Sequence, residues 1–288
     1  MGSVRTWPAL AAEQRRLVEG WLPGAVVEAD LSWGLVDTAV LRVRHDGGIV
    51  VVKAVRQDNS VIAREVDAHQ QWLQPWTSAG RAPALLHADR GARVVVTRWL
   101  PGHLVQGTPA ATDPDVHRQA GRLLAQLHQQ PGVDDDGFEA AANAKTLAWL
   151  ASDHAIPCAT AEQVAAEVAG WPDGPTALVP THGDFSPRNW VVDHGVVGVI
   201  DFGRAALRPA ESDLVRLVQR DWVGRPELEE AFLQGYGSDP RDAAGWRRAR
   251  VREAVGTAVW AHRVGDGPFE QEGLRLLGEL TAGGRAGA

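Results

Sequence analysis

His182-Gly183-Asp184-Phe185-Ser186-Pro187-Arg188-Asn189, followed by the apolar run Val196 to Ile200 and then Asp201-Phe202-Gly203, is the stretch on which the reading of this chain turns. Asp184 and Asn189 stand five residues apart, and Asp201 comes twelve later, at the end of the apolar run. Asn189 offers a neutral oxygen and Asp201 a charged one, the hard donors that Mg²⁺ prefers. A carboxylate ahead of them can orient a hydroxyl and accept its proton. One proton acceptor and two oxygen donors in this order suit phosphoryl transfer beside a divalent cation. Asp184 is the expected catalytic residue, and Asn189 and Asp201 are the expected Mg²⁺ ligands.

Working outward, the first hundred residues carry strand-like runs at Ala25 to Leu31, Thr38 to Arg44 and Ile49 to Val55. The last two are joined by His45-Asp46-Gly47-Gly48, whose glycines allow the positive φ of a tight hairpin. Ala84 to Ala88 and Arg93 to Trp99 form a second hairpin candidate, while Glu13 to Trp21 and Val61 to Leu73 have helical periodicity. Lys53 falls in a run of valines, where an ammonium must reach solvent or find an anion. After Pro101-Gly102 the pattern turns helical. Asp113-Pro114 starts a helix as far as His128, and further helices are expected over 140–150, 161–169, 214–218, 227–234 and 246–264. No internal repeat is present, and the 283–288 tail is expected to be disordered. The fold class expected is α+β, with a small N-terminal lobe of antiparallel sheet plus one helix and a larger, mainly helical C-terminal lobe. The boundary falls between 1–97 and 98–288, with a hinge about 97–102.

Composition limits the partners. The 288 residues carry a formal net charge of -7, which disfavours a nucleic-acid surface. Cys158 is the single cysteine, so no intramolecular disulfide can form, as suits a reducing cytoplasm. No apolar run approaches the ~20 residues of a membrane span. Met1-Gly2 with Thr6 loosely fits an acylation pattern, but no second membrane signal accompanies it. The expectation is a cytoplasmic monomer acting on a small molecule.

Several motifs in order give the chain a family likeness. Val52-Lys53-Ala54, Glu65, Val95 to Gly102, Gly121 to His128, His182 to Asn189, Ile200 to Gly203 and Asp213 together resemble the aminoglycoside phosphotransferase and choline-kinase group of the protein-kinase-like fold. The resemblance implies that Lys53 meets the nucleotide phosphates, with Glu65 as its ion-pair partner. It implies that Thr97, Trp99 and Leu100 border the adenine of ATP (or GTP), and that Asp213 braces the catalytic loop. Arg188 is expected either to touch the γ-phosphate, since a guanidinium matches phosphate oxygens bidentately, or to pair with a surface carboxylate. The chain departs from the family's pattern at Ser186, where histidine is usual, and at Arg188, where a small residue is usual. It departs again at the nucleotide-covering loop Ser32 to Thr38, which holds one glycine.

The substrate class follows from the same resemblance. An aminoglycoside, or a cyclic peptide of the capreomycin and viomycin kind, is the expected acceptor, consistent with a cationic small molecule. The alternative is a metabolic kinase acting on choline, homoserine, a sugar or a fructosamine. Tryptophans 149, 171, 222 and 260 and the acidic residues Asp134 to Asp136, Asp153, Asp221, Asp266 and Glu270 lie in the half where such a ligand is expected. A protein kinase is disfavoured because only about ten residues separate Asp201-Phe202-Gly203 from Asp213, too few for an activation loop. Retention of Lys53, Asp184, Asn189 and Asp201 together argues against a binding protein without catalysis.

Overall fold

The computed structural model describes residues 7, 9–34, 37–56 and 60–283. The acylation pattern at Met1-Gly2 and Thr6, residues Leu35 and Val36 of the nucleotide-covering loop, and 284–288 of the tail lie outside the described residues. The chain packs as two compact units, the first running through Gln130 and taking in His182–Ala206 and Arg225–Ser238, the second made of Pro131–Thr181, Leu207–Gly224 and the remainder from Asp239.

The first unit begins with α1 (Ala12–Trp21), β1 (Val26–Asp30), β2 (Thr38–His45) and β3 (Gly48–Val55), followed by α2 (Val61–Gln71) and the short α3 (Gln74–Ser78). Next come β4 (Leu85–Asp89), β5 (Val94–Arg98), β6 (His103–Leu104) and α4 (Pro114–His128). Strands β1 to β5 make an antiparallel sheet in the order β1-β2-β3-β5-β4, so β3 lies in its middle. Alternation decides which side of β3 faces what. Val50, Val52 and Ala54 join Leu41, Val43, Val94 and Val96 in a core with Val18 of α1, whereas Val55 packs with Val95, Ile62 and Val66 against α2. Both faces are buried, which is why β3 reads as an unbroken apolar run interrupted only by Lys53. Asp113 caps α4 by accepting from Asp115 N at 2.8 Å, as the Asp-Pro signal implied.

The second unit opens with β7 (Val133–Asp135), α5 (Phe138–Leu150), α6 (Cys158–Ala169) and β8 (Thr176–Thr181). The chain then returns to the first unit through β9 (Trp190–Asp193) and β10 (Val196–Val199), which form a sheet with β6. After β11 (Ala206–Arg208) and α7 (Pro226–Tyr236), it finishes in the second unit with α8 (Ala243–Val264) and α9 (Gly267–Gly283).

Three local expectations change. Asp134 and Asp135, for which no strand was expected, lie in β7 and pair with Ala177 and Thr176. Instead of one helix over 214–218 there is a 3₁₀ turn at Ala210–Leu214 and a π-turn at Leu217–Asp221. Helix α9 was not expected at all. Pro268 and glycines 267, 273 and 278 weaken its propensity signal. Gly273 is there because α9 presses on α8: a Cβ on it would lie 2.5 Å from Ala258 N. Leu276, Leu277 and Leu280 of α9 then complete a core with Val251, Ala254, Val255 and Ala258 of α8. Among the described residues no helix is long and apolar enough to cross a membrane.

Candidate active site

Strand β3 sets Lys53 between Val40 of β2 and Val95 of β5, on the α2 side of the sheet. Helix α2 brings Glu65 to the same face, one turn from Ile62 and beside Val66. Lys53 Nζ donates to Glu65 Oε2 at 2.7 Å and to Asp201 Oδ1 at 2.6 Å. Burial pulls the ammonium's pKa down, but Asp201 and Glu65 outweigh it and hold it above the ordinary lysine range. Burial raises the Glu65 carboxyl, with Lys53 pulling against it. Lys53 holds Asp201 below the usual carboxylate range, against the effect of burial. At neutral pH the cluster therefore centres on a charged lysine and an ionised Asp201.

Asp201 sits at φ 66°, the left-handed region that a non-glycine residue enters only under constraint. Its carboxylate also accepts from Gly203 N at 3.4 Å. Gly203 is required by proximity, because a Cβ there would meet Val61 Cγ1 at 2.6 Å and Lys53 Nζ at 3.2 Å. Phe202 between them is buried and touches the rings of His69, Trp76 and His182 at centroid distances of 5.5, 6.0 and 5.1 Å. Neither ring nitrogen of His69 has a hydrogen-bond partner, and burial, with Lys53 nearby, lowers its pKa to about 4.

The catalytic-looking loop is braced by its own polar groups. His182 Nε2 donates to Ile200 O at 3.1 Å, and its Nδ1 accepts from Asp184 N at 3.2 Å. That pair of bonds assigns the proton to Nε2 and occupies both nitrogens. Asn189 Nδ2 donates to Asp184 O at 2.8 Å, leaving the amide oxygen outside that bond. Ile200 N donates to Asn189 O at 2.9 Å, which joins the loop to the residue just before Asp201. Asp184 and Asn189 are each 4 % exposed. Arg188 Nη2 lies 3.6 Å from Asp184 Oδ2, and its guanidinium carbon lies 5.8 Å from the Trp33 ring.

Thr97 is in β5, in register with Val51 of β3 and Leu85 of β4. Arg98 N donates to Ala84 O at 2.8 Å and Trp99 N to Ile49 O at 3.0 Å, where the ladder ends. The Trp99 ring carries the Arg42 guanidinium at 4.5 Å. Leu100 packs across Gly198 of β10, so close that a Cβ on the glycine would be 2.7 Å from Leu100 Cδ2. The nine residues expected to serve catalysis, nucleotide and Mg²⁺ all fall in the first unit, while Asp213 falls in the second. Lys53 meets both Glu65 and Asp201, and Asp184 meets both Arg188 and Asn189 within their loop.

In the second unit, Asp135 and Asp266 serve local backbone, accepting from Gly137 N at 2.8 Å and Phe269 N at 3.2 Å. Asp153 and Glu270 converge on His262, at 3.7 and 2.7 Å. Trp222 is buried, and Trp149 and Trp171 pack on the α8–α9 core. What sequence reasoning missed is the packing around Phe202, namely His69 and Trp76. The i+4 spacing of His69 after Glu65 was the available signal.

Among the described residues no three His, Cys, Asp or Glu side chains gather as a metal site. An Asn189 and Asp201 pair needs only one carboxylate, and its hard oxygen donors fit a Mg²⁺ that keeps several waters.

Residues 31–251 match the sequence profile of the phosphotransferase enzyme family. No curated protein matches the chain. Among solved structures, the fold is similar to a choline/ethanolamine kinase family protein from Mesorhizobium loti, at 19 % identity and TM-score 0.65 over 94 % of this chain and 92 % of that one. It is similar to an aminoglycoside phosphotransferase, a thermostable mutant solved with ADP and hygromycin B, at 14 % identity and TM-score 0.67 over 96 % and 99 %. It is also similar to a macrolide 2'-phosphotransferase from Brachybacterium faecium, at 17 % identity and TM-score 0.55 over 91 % and 95 %.

Proposed function

The chain belongs to the phosphotransferase enzyme family, and from that premise we propose that it moves the γ-phosphoryl group of ATP or GTP to a hydroxyl of a small cationic antibiotic, an aminoglycoside or a cyclic peptide of the capreomycin and viomycin kind. The observation that carries the proposal is the buried Lys53 ammonium held between Glu65 and Asp201, with Asp201 one residue beyond a backbone bond to the Asp184–Asn189 loop. A phosphate can take over from a carboxylate at Lys53, because both present oxygen anions to the same three N–H donors.

In this reading the acceptor hydroxyl lies against Asp184. Its oxygen attacks the γ-phosphorus, the bond from that phosphorus to the β,γ-bridging oxygen breaks, and the electron pair leaves on the nucleoside diphosphate. The hydroxyl proton passes to the Asp184 carboxylate as the new bond forms. Lys53, oriented by Glu65, holds the non-transferred phosphates, and Arg188 meets the γ-phosphoryl oxygens. Asn189 Oδ1 and Asp201 would hold Mg²⁺, which neutralises phosphate charge when bound. Leu100 N–H, just past the end of the β5 ladder and before Pro101, is the donor assigned to the purine edge, with Thr97 and Trp99 bordering it. A cationic acceptor is favoured by the net charge of -7.

The test is nucleotide turnover with Mg²⁺ across aminoglycosides, capreomycin, viomycin, choline and homoserine, with Asp184→Ala as control. Turnover with an antibiotic that the variant loses is the expected result. Turnover confined to choline or homoserine would move the assignment to a metabolic kinase.

A further inference from the structure

Ser186 is 3 % exposed, and its Oγ has no hydrogen-bond partner. A buried hydroxyl left unpaired costs roughly 1–3 kcal/mol, so such a group calls for an explanation. Local structure does not provide one. Ser186 occupies the N-cap position of the 3₁₀ turn Pro187–Asn189, where a serine hydroxyl ordinarily accepts a backbone N–H, yet it makes no cap bond. Pro187 has no N–H to give, and Asn189 N donates at 2.9 Å to the Ser186 carbonyl instead. The turn is closed without the side chain, and the hydroxyl is released from structural work.

Its placement narrows the partner. Phe185 turns its ring into the core against Trp190 and Phe232, at 5.2 and 6.2 Å. The backbone at Ser186 is extended, φ -163° and ψ 167°, so its side chain leaves on the opposite side of the loop from that ring. It stands two residues from Asp184 and two from Arg188, which themselves approach to 3.6 Å. The group is therefore a neutral donor inside the loop that carries the proposed proton acceptor and the proposed γ-phosphate cation.

We infer that Ser186 is a catalytic residue whose Oγ–H donates to an oxygen of the phosphoryl group in flight, completing with Arg188 a two-residue clamp on that group. The inference rests on the phosphotransferase reading of the site. A hydroxyl donor adds no charge, so it stabilises the oxygens that gain charge in the transition state without competing with Lys53 for the nucleotide's resting phosphates. It touches the γ-phosphoryl group and not the diphosphate. Triphosphate should therefore satisfy the hydroxyl and diphosphate should not.

Ser186→Ala and Ser186→Thr test this in the full-length chain, with turnover and thermal shift as readouts. The thermal shifts use Mg²⁺ with ADP, with GDP, and with the β,γ-imido analogues of ATP and GTP. The expected result for Ser186→Ala is an unchanged or higher Tm of the free protein, since no bond is lost. Its diphosphate shift stays like wild type, its extra triphosphate shift shrinks, nucleotide KM rises a few-fold, and kcat falls on the order of 10²-fold. Ser186→Thr keeps the hydroxyl and should recover most of kcat. If Ser186→Ala keeps full kcat and the full triphosphate shift while Asp184→Ala abolishes turnover, the clamp is wrong and the phosphotransferase reading stands. A free-protein Tm several degrees lower in Ser186→Ala would also overturn it, because the hydroxyl would then be structural. If wild type turns over no acceptor, the enzymatic reading fails, and the difference between triphosphate and diphosphate shifts still decides whether Ser186 meets the γ-phosphoryl group.

Discussion

Two clusters of three charges, one in each unit, show how similar chemistry can do different work. In the first, the Lys53 ammonium lies between the carboxylates of Glu65 and Asp201 at 2.7 and 2.6 Å. In the second, the Glu139 carboxylate of α5 lies between the guanidiniums of Arg248 and Arg252 of α8 at 3.3 and 2.6 Å, and Arg252 reaches Asn143 as well. The difference is in how each is closed. Glu139 and its two arginines are 4 % and 16 % exposed and stand on two long packed helices. The Asp201 side chain is 45 % exposed and stands on a strained single residue rather than a helix. A closed cluster joins helices. A cluster with one open, ionised member can exchange that member's partner for an incoming phosphate or cation.

The comparison breaks if the two clusters respond alike to losing their central charge. Lys53→Met should lower nucleotide turnover by about 10³-fold, as expected for removing the main fixed cation from phosphate chemistry. Its stability loss should shrink as pH falls, because burial already raises the Glu65 carboxyl and a proton can then replace the ammonium. Glu139→Gln should do the reverse, costing about 3 kcal/mol in denaturant unfolding while turnover per folded molecule stays unchanged. Equal losses of stability with no separation in turnover would remove the distinction.

A third experiment sharpens the first cluster. The unfolded chain takes up a proton on His69 near its ordinary pKa of 6.5, whereas the folded chain resists until about 4. The stability held by the neutral ring is thus present above pH 6.5 and declines as pH drops toward 4, by about 3 kcal/mol at most. His69→Phe, which suits the contact with Phe202, should flatten that slope in urea titrations at a series of pH values. The smallest effect is expected at the edge of the site. Arg42→Ala strips the cation from the Trp99 ring, a contact worth about 1 kcal/mol or less at a half-open surface. Nucleotide KM should rise a few-fold, with kcat unchanged.

Much of the first unit was legible because its signals are local. The hairpin at Asp46-Gly47, the Asp113-Pro114 helix start and the valine-rich β3 each follow from neighbouring residues, and each stands where the pattern put it. Lys53 and Asp184 could be singled out because a lysine among valines and an Asp, Asn and Asp series are conspicuous on their own. Helix α9 and β7 were not legible. In α9 the glycines look like breakers until α8 is seen pressing on Gly273, and in β7 three residues take strand form only because β8 pairs with them. The orphaned hydroxyl of Ser186 was equally hidden, since a serine before Pro-Arg-Asn reads as an ordinary cap.

The sequence by itself determined the sheet-then-helix order and the identity of the groups available for chemistry, and its motifs carried the family resemblance, because periodicity, spacing and motif order are properties of the chain alone. Only the tertiary structure decided which of those groups meet. Lys53 and Asp201 are 148 residues apart, and Arg252 is 113 from Glu139. No local signal specifies contacts at such separations. They form when a buried ammonium or carboxylate, too costly to leave unpaired, finds its partner on another element brought near by the packing of the cores.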